Sequence, residues 1–131
     1  MARREGFEIR IEEVAGITKV SLIGGVDSYS ADALRRRVGP ICDKPEAKVL
    51  MDFRETTYLN SASIGQLNQL NRACDSNGGS LVACAVDSRI MAIMEILGLH
   101  KTLTLRDTCD EGLSFLGYVE EPVEPVEPVD Q

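Results

Sequence analysis

Hydroxyl and amide side chains cluster at residues 60–63, where an apolar segment of strand length gives way to a helical pattern. The first N–H groups of a helix have no partner within it, so Asn60 or Ser61 can act as N-cap, with Ser63 in the first turn. The same N–H groups stabilise a phosphate, which adds about −1.5 to −2 charges to a surface. Ser61 and Ser63 are therefore candidates for phosphorylation as well as for capping.

Gly65 favours a binding role for this segment. A glycine costs a helix up to about 1 kcal/mol relative to alanine. Helical spacing places Gly65 with Gln69 and Arg72 on the face away from the apolar stripe, where a missing side chain lets another surface approach closely. The face with Gly65, Gln69 and Arg72 is therefore the side of this helix where we expect a partner to approach.

The sequence lacks the common catalytic motifs. It contains no G-x-x-x-x-G-K-[ST], G-x-G-x-x-G, H-E-x-x-H or G-x-S-x-G pattern, and its one histidine, His100, falls in a predicted turn. The four cysteines are widely spaced with no C-x-x-C, which favours reduced, buried thiols over a zinc site. We expect no enzyme activity, no cofactor and no metal.

Charge and hydropathy exclude further classes. The chain has 131 residues and a net charge of −7, but residues 119–131 hold acids and no Lys or Arg, so the remainder is nearly balanced. This balance lacks the basic excess that nucleic-acid binding requires. No segment has the apolar length of a membrane span, and the charged N-terminus is not followed by a secretory apolar stretch. We expect a cytoplasmic protein without membrane insertion.

Periodicity predicts the elements that position the candidate segment. Strands are expected at 7–11, 17–23, 47–53, 80–86 and 101–105, with residues 54–57 as a polar exit. Helices are expected after Asp27, after Asn60, after Asp87, and from Asp107 or Thr108, and Pro40 should end or distort the first near Gly39. The expected inward stripes are Leu34, Val38 and Ile41; Ile64, Leu67, Leu70 and Cys74; Ile90, Ile93, Met94 and Leu97; and Leu113 and Leu116.

The element order ββαβαβαβα predicts an α/β fold with a mixed, mainly parallel sheet packed against helices. Residues 1–118 form one domain of a size that folds without disulfides or metal. The tail, 119–131, repeats Pro-Val-Glu, which favours an extended, disordered chain. A docking peptide or spacer is the alternative for the tail.

Four segments, in order and spacing over about residues 7–117, resemble motifs of the STAS family, the domain of sulphate transporters and bacterial anti-sigma factor antagonists. They are Gly24 to Asp27 for the G-x-x-D turn, Val49 to Phe53 for the central strand, Asn60 to Gly65 for the D-S-S/T-G-L-G loop, and Ile96 to Leu99 for the end of the third helix. The resemblance implies the STAS fold and a partner surface at the start of the second helix with the Asp27 turn beside it. The predicted partner-binding residues are Asp27, Asn60, Ser61, Ala62, Ser63, Gly65, Gln69 and Arg72.

Stand-alone members of the family bind an anti-sigma factor that is also a serine kinase, and phosphorylation of the second serine in that loop abolishes binding. By this resemblance Asn60 stands for the aspartate, Ser61 for the first serine, Ala62 for the phosphorylated serine and Ser63 for the glycine. Ala62 cannot carry a phosphate, so the switch is either absent or moved to Ser61 or Ser63.

The resemblance therefore predicts an anti-sigma factor antagonist that regulates transcription by protein binding, with a serine-kinase anti-sigma factor as partner. The alternative is a constitutive STAS subunit of a lipid-transport ABC complex or a stress-signalling scaffold, which the loss of the phosphorylatable residue at Ala62 would suit. A small enzyme using Ser61 as nucleophile lacks a base and is disfavoured. The sequence leaves the oligomeric state open.

Overall fold

Six strands and four α-helices follow one another in the part of the chain that the computed structural model describes, residues 6–119. The predicted tail lies outside these residues except for Val119. The elements are β1 (Glu8–Val14), β2 (Ile17–Val26), α1 (Ser28–Cys42), β3 (Lys48–Asp52), β4 (Thr56–Leu59), α2 (Ser61–Ser76), β5 (Ser80–Cys84), α3 (Ser88–Ile96), a 3₁₀ turn (Leu99–Lys101), β6 (Thr104–Arg106) and α4 (Cys109–Phe115).

The sheet is mixed and mainly parallel, as the element pattern predicts. Its strand order is β1-β2-β3-β5-β6; β1 runs antiparallel to β2, and the other pairs are parallel. The antiparallel hairpin turns at Ala15 and Gly16, both with positive φ, and Val14 pairs with Ile17. The predicted fold class is confirmed.

The sequence pattern missed β4. Residues 54–57 were expected to leave the sheet, yet β4 pairs in parallel with the end of β2, beyond the stretch of β2 that β3 occupies. Thr56 explains the difference, because its buried hydroxyl donates a hydrogen bond of 2.7 Å to the Leu22 carbonyl. A threonine can face the core when its hydroxyl is hydrogen-bonded. The polar sequence of residues 54–57 therefore did not indicate that β4 is a strand. The observed order is ββαββαβαβα.

The helices cover the two faces of the sheet unequally. Buried side chains of α1, α2 and α3 share one apolar cluster with Val49 and Met51 of β3. Leu50 and Val82 face the other way and pack with Leu116 at the end of α4. This alternation follows from the period of two along each strand. Both faces of β3 and β5 are therefore buried, as their continuous apolar sequences predict.

Helix α1 does not end near Gly39, which was one of the two effects expected of Pro40. It contains Pro40 and runs to Cys42, whose side chain is buried along with Leu34 and Val38, whereas Ile41 is half-buried. A proline disfavours helical backbone in the preceding residue by contact with that residue's Cβ, and Gly39 has none. Pro40 lacks the N–H that would donate within the helix, but only two residues of α1 follow it, so little of the helix lies beyond the interruption.

The end of α3 also differs from the prediction. The expected αL residue is confirmed, since Gly98 has φ of +80°. However, the helix ends at Ile96, and Leu97 is the C-cap with 45% of its surface exposed rather than a member of the buried stripe. The chain then forms the 3₁₀ turn before β6, which is shorter and later than the predicted strand 101–105. The N-cap of α4 is Thr108, one of the two predicted residues.

Candidate functional site

A reciprocal capping arrangement forms the N-terminus of α2. Asn60 is the N-cap, and its Oδ1 accepts a hydrogen bond of 2.9 Å from the backbone N–H of Ser63. In return the Asn60 backbone N–H donates to Ser63 Oγ at 2.8 Å, and that hydroxyl donates to the Asn60 carbonyl at 2.9 Å. This capping box provides acceptors for two backbone N–H groups at the start of the helix.

The structure separates the two phosphorylation candidates. Ser63 is fully buried, and its hydroxyl both accepts and donates within the capping box. Ser63 is therefore not part of the predicted partner surface, because its buried side chain caps the helix from the core side. Ser61 and Ala62 are exposed at the first two positions of α2. Of the two hydroxyls, only that of Ser61 is on the surface.

The pairing of β4 with β2 brings the turn at Asp27 next to α2. Val26 of β2 is in register with Leu59 of β4, so the residues that follow each strand meet at one edge of the sheet. Asn60 Nδ2 donates to Ser28 Oγ at 3.4 Å across this junction. Asp27 is the N-cap of α1, and its Oδ1 accepts from the N–H and the hydroxyl of Ser30 at 3.0 and 3.1 Å. The predicted surface residues Asp27 and Asn60 are therefore neighbours.

The exposed face of α2 continues this surface. Ser61, Gly65, Gln69 and Arg72 are all exposed, whereas the predicted stripe on the opposite face, Ile64, Leu67, Leu70 and Cys74, is buried. A Cβ built on Gly65 would meet no atom within 4 Å. The glycine therefore faces open space, and neither backbone conformation nor core packing requires it. A surface that approaches α2 closely would use this gap.

A groove that the sequence pattern did not reveal lies beside Gly65. It has a volume of about 290 Å³ between α2 and the chain that follows α3. Thr102 holds the far wall to α2, since its hydroxyl donates to Asn68 Oδ1 at 3.4 Å and its carbonyl accepts from Asn71 Nδ2 at 3.0 Å. The lining residues are Ser61, Ile64, Gly65, Asn68, Leu97, Gly98, Leu99 and Thr102.

Exposed apolar side chains lie at the end of α3. Ile96 is 81% exposed, and Leu97, which lines the groove, is 45% exposed. The sequence contained a signal for this exposure. Ile96, Leu97 and Leu99 lie on either side of Gly98, which ends the helix, and a single helix face cannot bury all three side chains. An apolar patch next to a groove is suited to protein contact.

Chemistry-bearing side chains also meet at the opposite, α4 side of the sheet. Ligand atoms of Asp52, Cys84 and Cys109 all lie within 4.8 Å of one another. Asp52 is buried and forms ion pairs with Lys19 at 3.8 Å and with Arg54 at 3.3 Å. The wide sequence spacing of the cysteines concealed this group, because parallel strands bring distant residues to one edge of the sheet.

Within residues 6–119, no helix is long and apolar enough to cross a membrane.

The site is a surface of exposed backbone, hydroxyl and apolar groups beside a groove, and it is supported by a mixed sheet with helices. This organisation is that of a small binding domain. Comparison with known proteins gives the family: the model of the STAS domain matches residues 8–112. The chain belongs to the STAS domain family.

Individual relatives are distant in sequence and close in length. The chain is 19% identical over 102 residues to the anti-sigma F factor antagonist of Paenibacillus polymyxa, covering 77% of this chain and 87% of that protein. The crystal structure of an anti-sigma factor antagonist from Mycobacterium paratuberculosis matches with a TM-score of 0.70 at 23% identity, covering 88% and 98% of the two chains. The Bacillus cell fate determinant SpoIIAA in its phosphorylated form matches with a TM-score of 0.64 at 14% identity, covering 82% and 98%.

Proposed function

We propose that this chain is an anti-sigma factor antagonist, which releases a sigma factor by binding the anti-sigma factor that holds it. The observation that carries the proposal is the exposed surface at the start of α2. There Ser61 and Ala62 are exposed beside the turn at Asp27 and next to the groove at Gly65. Family membership and the names of relatives of similar length support the same function. The chain itself acts by binding, in the cytoplasm, without catalysis, cofactor or nucleic-acid contact.

The proposed partner is an anti-sigma factor of the serine-kinase type, and Ser61 is the proposed phosphate acceptor. Ser61 is exposed and is the first residue of a long helix, where a phosphate is stabilised by unpaired N–H groups. Ser63 could accept a phosphate only by leaving its buried position and opening the capping box. A phosphate on Ser61 would border the groove and oppose binding through its charge and bulk.

The test is release of a sigma factor from its purified complex with a serine-kinase anti-sigma factor encoded in the same genome. Gly65→Gln places a side chain in the gap that faces the groove without weakening the helix, since glutamine is a better helix former than glycine. We expect this variant to need at least about tenfold more protein for release, or ~1.4 kcal/mol of binding free energy.

Ser76→Gln is the matched control, because it adds the same side chain at the exposed far end of α2. It should release sigma factor as the unmodified chain does. Equal activity of both variants would contradict the proposed surface. No release by the unmodified chain from any serine-kinase anti-sigma complex of that genome would contradict the proposed function.

The same assay with ATP tests the switch. We expect phosphate on Ser61 and loss of release, whereas Ser61→Ala should remain active with ATP present. Phosphosite mapping identifies the modified residue. Absence of phosphate on Ser61, with release unaffected by ATP, would show that the chain binds without this switch.

The second candidate function is a constitutive STAS subunit of a transport complex or signalling scaffold. It is favoured by Ala62, which has no hydroxyl and yet is exposed at the helix start. This function uses the same groove and predicts binding that ATP does not change, together with no release of sigma factor.

A further inference from the structure

Two cysteine sulfurs lie in contact at the carboxyl ends of the parallel strands, on the α4 side of the sheet. Cys84 is the last residue of β5, Cys109 is the first residue of α4, and their Sγ atoms are 2.6 Å apart. Both thiols are free. This pair does not border the groove at Gly65, so its role is separate from the proposed partner surface.

The surroundings of the pair favour sulfur chemistry over metal binding. Two sulfur ligands ~2.3 Å from a tetrahedral zinc ion lie roughly 3.8 Å apart, which is wider than this contact. The third ligand candidate, Asp52, is already engaged, since its Oδ1 accepts from the Arg54 backbone N–H at 2.9 Å and its Oδ2 pairs with Lys19. The side chains of Lys19 and Arg54, which both pair with Asp52 Oδ2, therefore place two positive charges beside the position that a cation would occupy.

The two thiols have different surroundings. Cys84 is fully buried, and this burial raises the pKa of its thiol, with the hydrogen bond to Cys109 acting in the same direction. Cys109 is half-buried and lines a surface cavity of about 330 Å³ together with Arg54 and Ala85. The Arg54 guanidinium donates to Cys109 Sγ at 3.7 Å, which places a positively charged donor beside this sulfur. Cys109 is thus the accessible thiol, and Cys84 is the buried thiol behind it.

The backbone at this position is also unusual. Ala85, directly after Cys84, has φ of +59°, in the left-handed region that a residue with Cβ seldom adopts. At Ala85 the chain turns away from the direction of β5, and this residue lines the same cavity as Cys109. The hydrogen bond from the Phe53 N–H to the Cys84 carbonyl, at 3.0 Å, holds the end of β5 against the chain that leaves β3.

We propose that Cys84 and Cys109 are a peroxide-sensitive thiol pair that forms a reversible disulfide. Hydrogen peroxide transfers one oxygen to the Cys109 sulfur, which becomes a sulfenic acid as the O–O bond breaks and water leaves. The Cys84 sulfur then attacks the Cys109 sulfur, the S–O bond breaks, and the hydroxyl leaves as water with the Cys84 proton. Two thiols and one peroxide give one disulfide and two waters, and an external dithiol reverses the reaction.

The disulfide would close a loop that contains α3, the 3₁₀ turn and β6. Cross-linking restricts the unfolded chain, so the oxidised protein should have a Tm higher by on the order of 10 °C. The loop includes Leu97 and Leu99, which form one wall of the groove beside α2.

The remaining cysteines provide a control pair within the same chain. Cys42 of α1 and Cys74 of α2 are both fully buried on the opposite face of the sheet. Neither has an exposed sulfur or an arginine donor among the contacts of the described residues. They should remain thiols at peroxide concentrations that oxidise the first pair.

The experiment is peroxide titration of the reduced full chain, with alkylation of free thiols, intact mass and peptide mapping. We expect the loss of two hydrogen atoms per chain, a Cys84–Cys109 cross-linked peptide, and full reversal by dithiothreitol. Cys109→Ala should abolish the change and Cys74→Ala should preserve it. Arg54→Gln should slow oxidation several-fold without changing the product.

Three results would overturn the proposal. They are no cross-link in the unmodified chain at peroxide levels that leave the fold intact, a cross-link that joins Cys42 to Cys74 instead, and a stoichiometric Zn²⁺ complex that needs Cys84, Cys109 and Asp52 and excludes the disulfide. Mapping of the unmodified chain decides the first two without any variant, and a zinc titration followed by metal analysis decides the third.

Discussion

At the residue scale, the two serines near the start of α2 differ in what surrounds their hydroxyls. Ser61 is exposed and Ser63 is buried, although only Ala62 separates them and all three side chains are small. The sequence could place an N-cap at Asn60 or Ser61, because both are capping residues before an apolar stripe. Helical spacing also favours Ser63 as the inward residue, because Leu67 and Leu70 of the buried stripe follow it at i+4 and i+7, but spacing does not show that its hydroxyl closes a capping box with Asn60.

Ser63→Ala should destabilise the protein by about 1–2 kcal/mol. The substitution leaves the Asn60 N–H without its acceptor and removes one half of the capping box. Ser61→Ala should change the unfolding free energy by less than about 0.5 kcal/mol, because the side chain is exposed. Chemical denaturation of both variants measures the difference, and equal stabilities would contradict the assigned cap.

At the element scale, long apolar patterns were predicted well and short connecting elements were not. The stripe of α2 and the αL residue Gly98 follow directly from spacing and residue type. In contrast, β4 is four residues long and includes the buried Thr56, whose polarity indicates a loop until its partner, the Leu22 carbonyl, is known. Leu97 was assigned to a buried stripe because periodicity alone does not tell where a helix ends.

The N-terminus of α3 should make the protein sensitive to acid. Asp87 Oδ1 accepts from the Ile90 N–H at 2.9 Å, and this hydrogen bond lowers the pKa of the carboxyl below its ordinary value of 3.8. A lowered pKa in the folded state gives stability that is present above about pH 4 and lost as the pH falls toward the folded value. Asp32, whose pKa is lowered by Arg35 and Arg36, acts in the same direction.

Thermal unfolding between pH 6 and pH 3 measures this contribution. Asp87→Asn retains a capping side chain without the ionisable group, so its Tm should fall less steeply below about pH 4 than that of the unmodified chain. Asp75→Asn is the control, since Asp75 is exposed near the end of α2 and caps no helix. Parallel curves for Asp87→Asn and the unmodified chain would contradict the assignment.

At the scale of the whole molecule, the sheet separates two regions of different chemistry. The turn at Asp27, the start of α2 and the groove lie with the three helices of one face, whereas the cysteine pair lies with α4 on the other. The strand and helix order predicts a two-sided sheet, and the resemblance of short motifs predicts the family. Neither predicts the groove, because its two walls are separated by some thirty residues along the chain and meet only through tertiary packing.

The measurement that tests the proposed function most directly is the map of backbone amide shifts on binding. Isotope-labelled chain is titrated with the unlabelled serine-kinase anti-sigma factor, and each amide of the folded region is followed. We expect the largest shifts at residues 27–30, 60–72 and 96–102, with little change in α4. Shifts concentrated in α4 and β6, with residues 60–72 unchanged, would contradict the assignment of α2 and its groove as the partner surface.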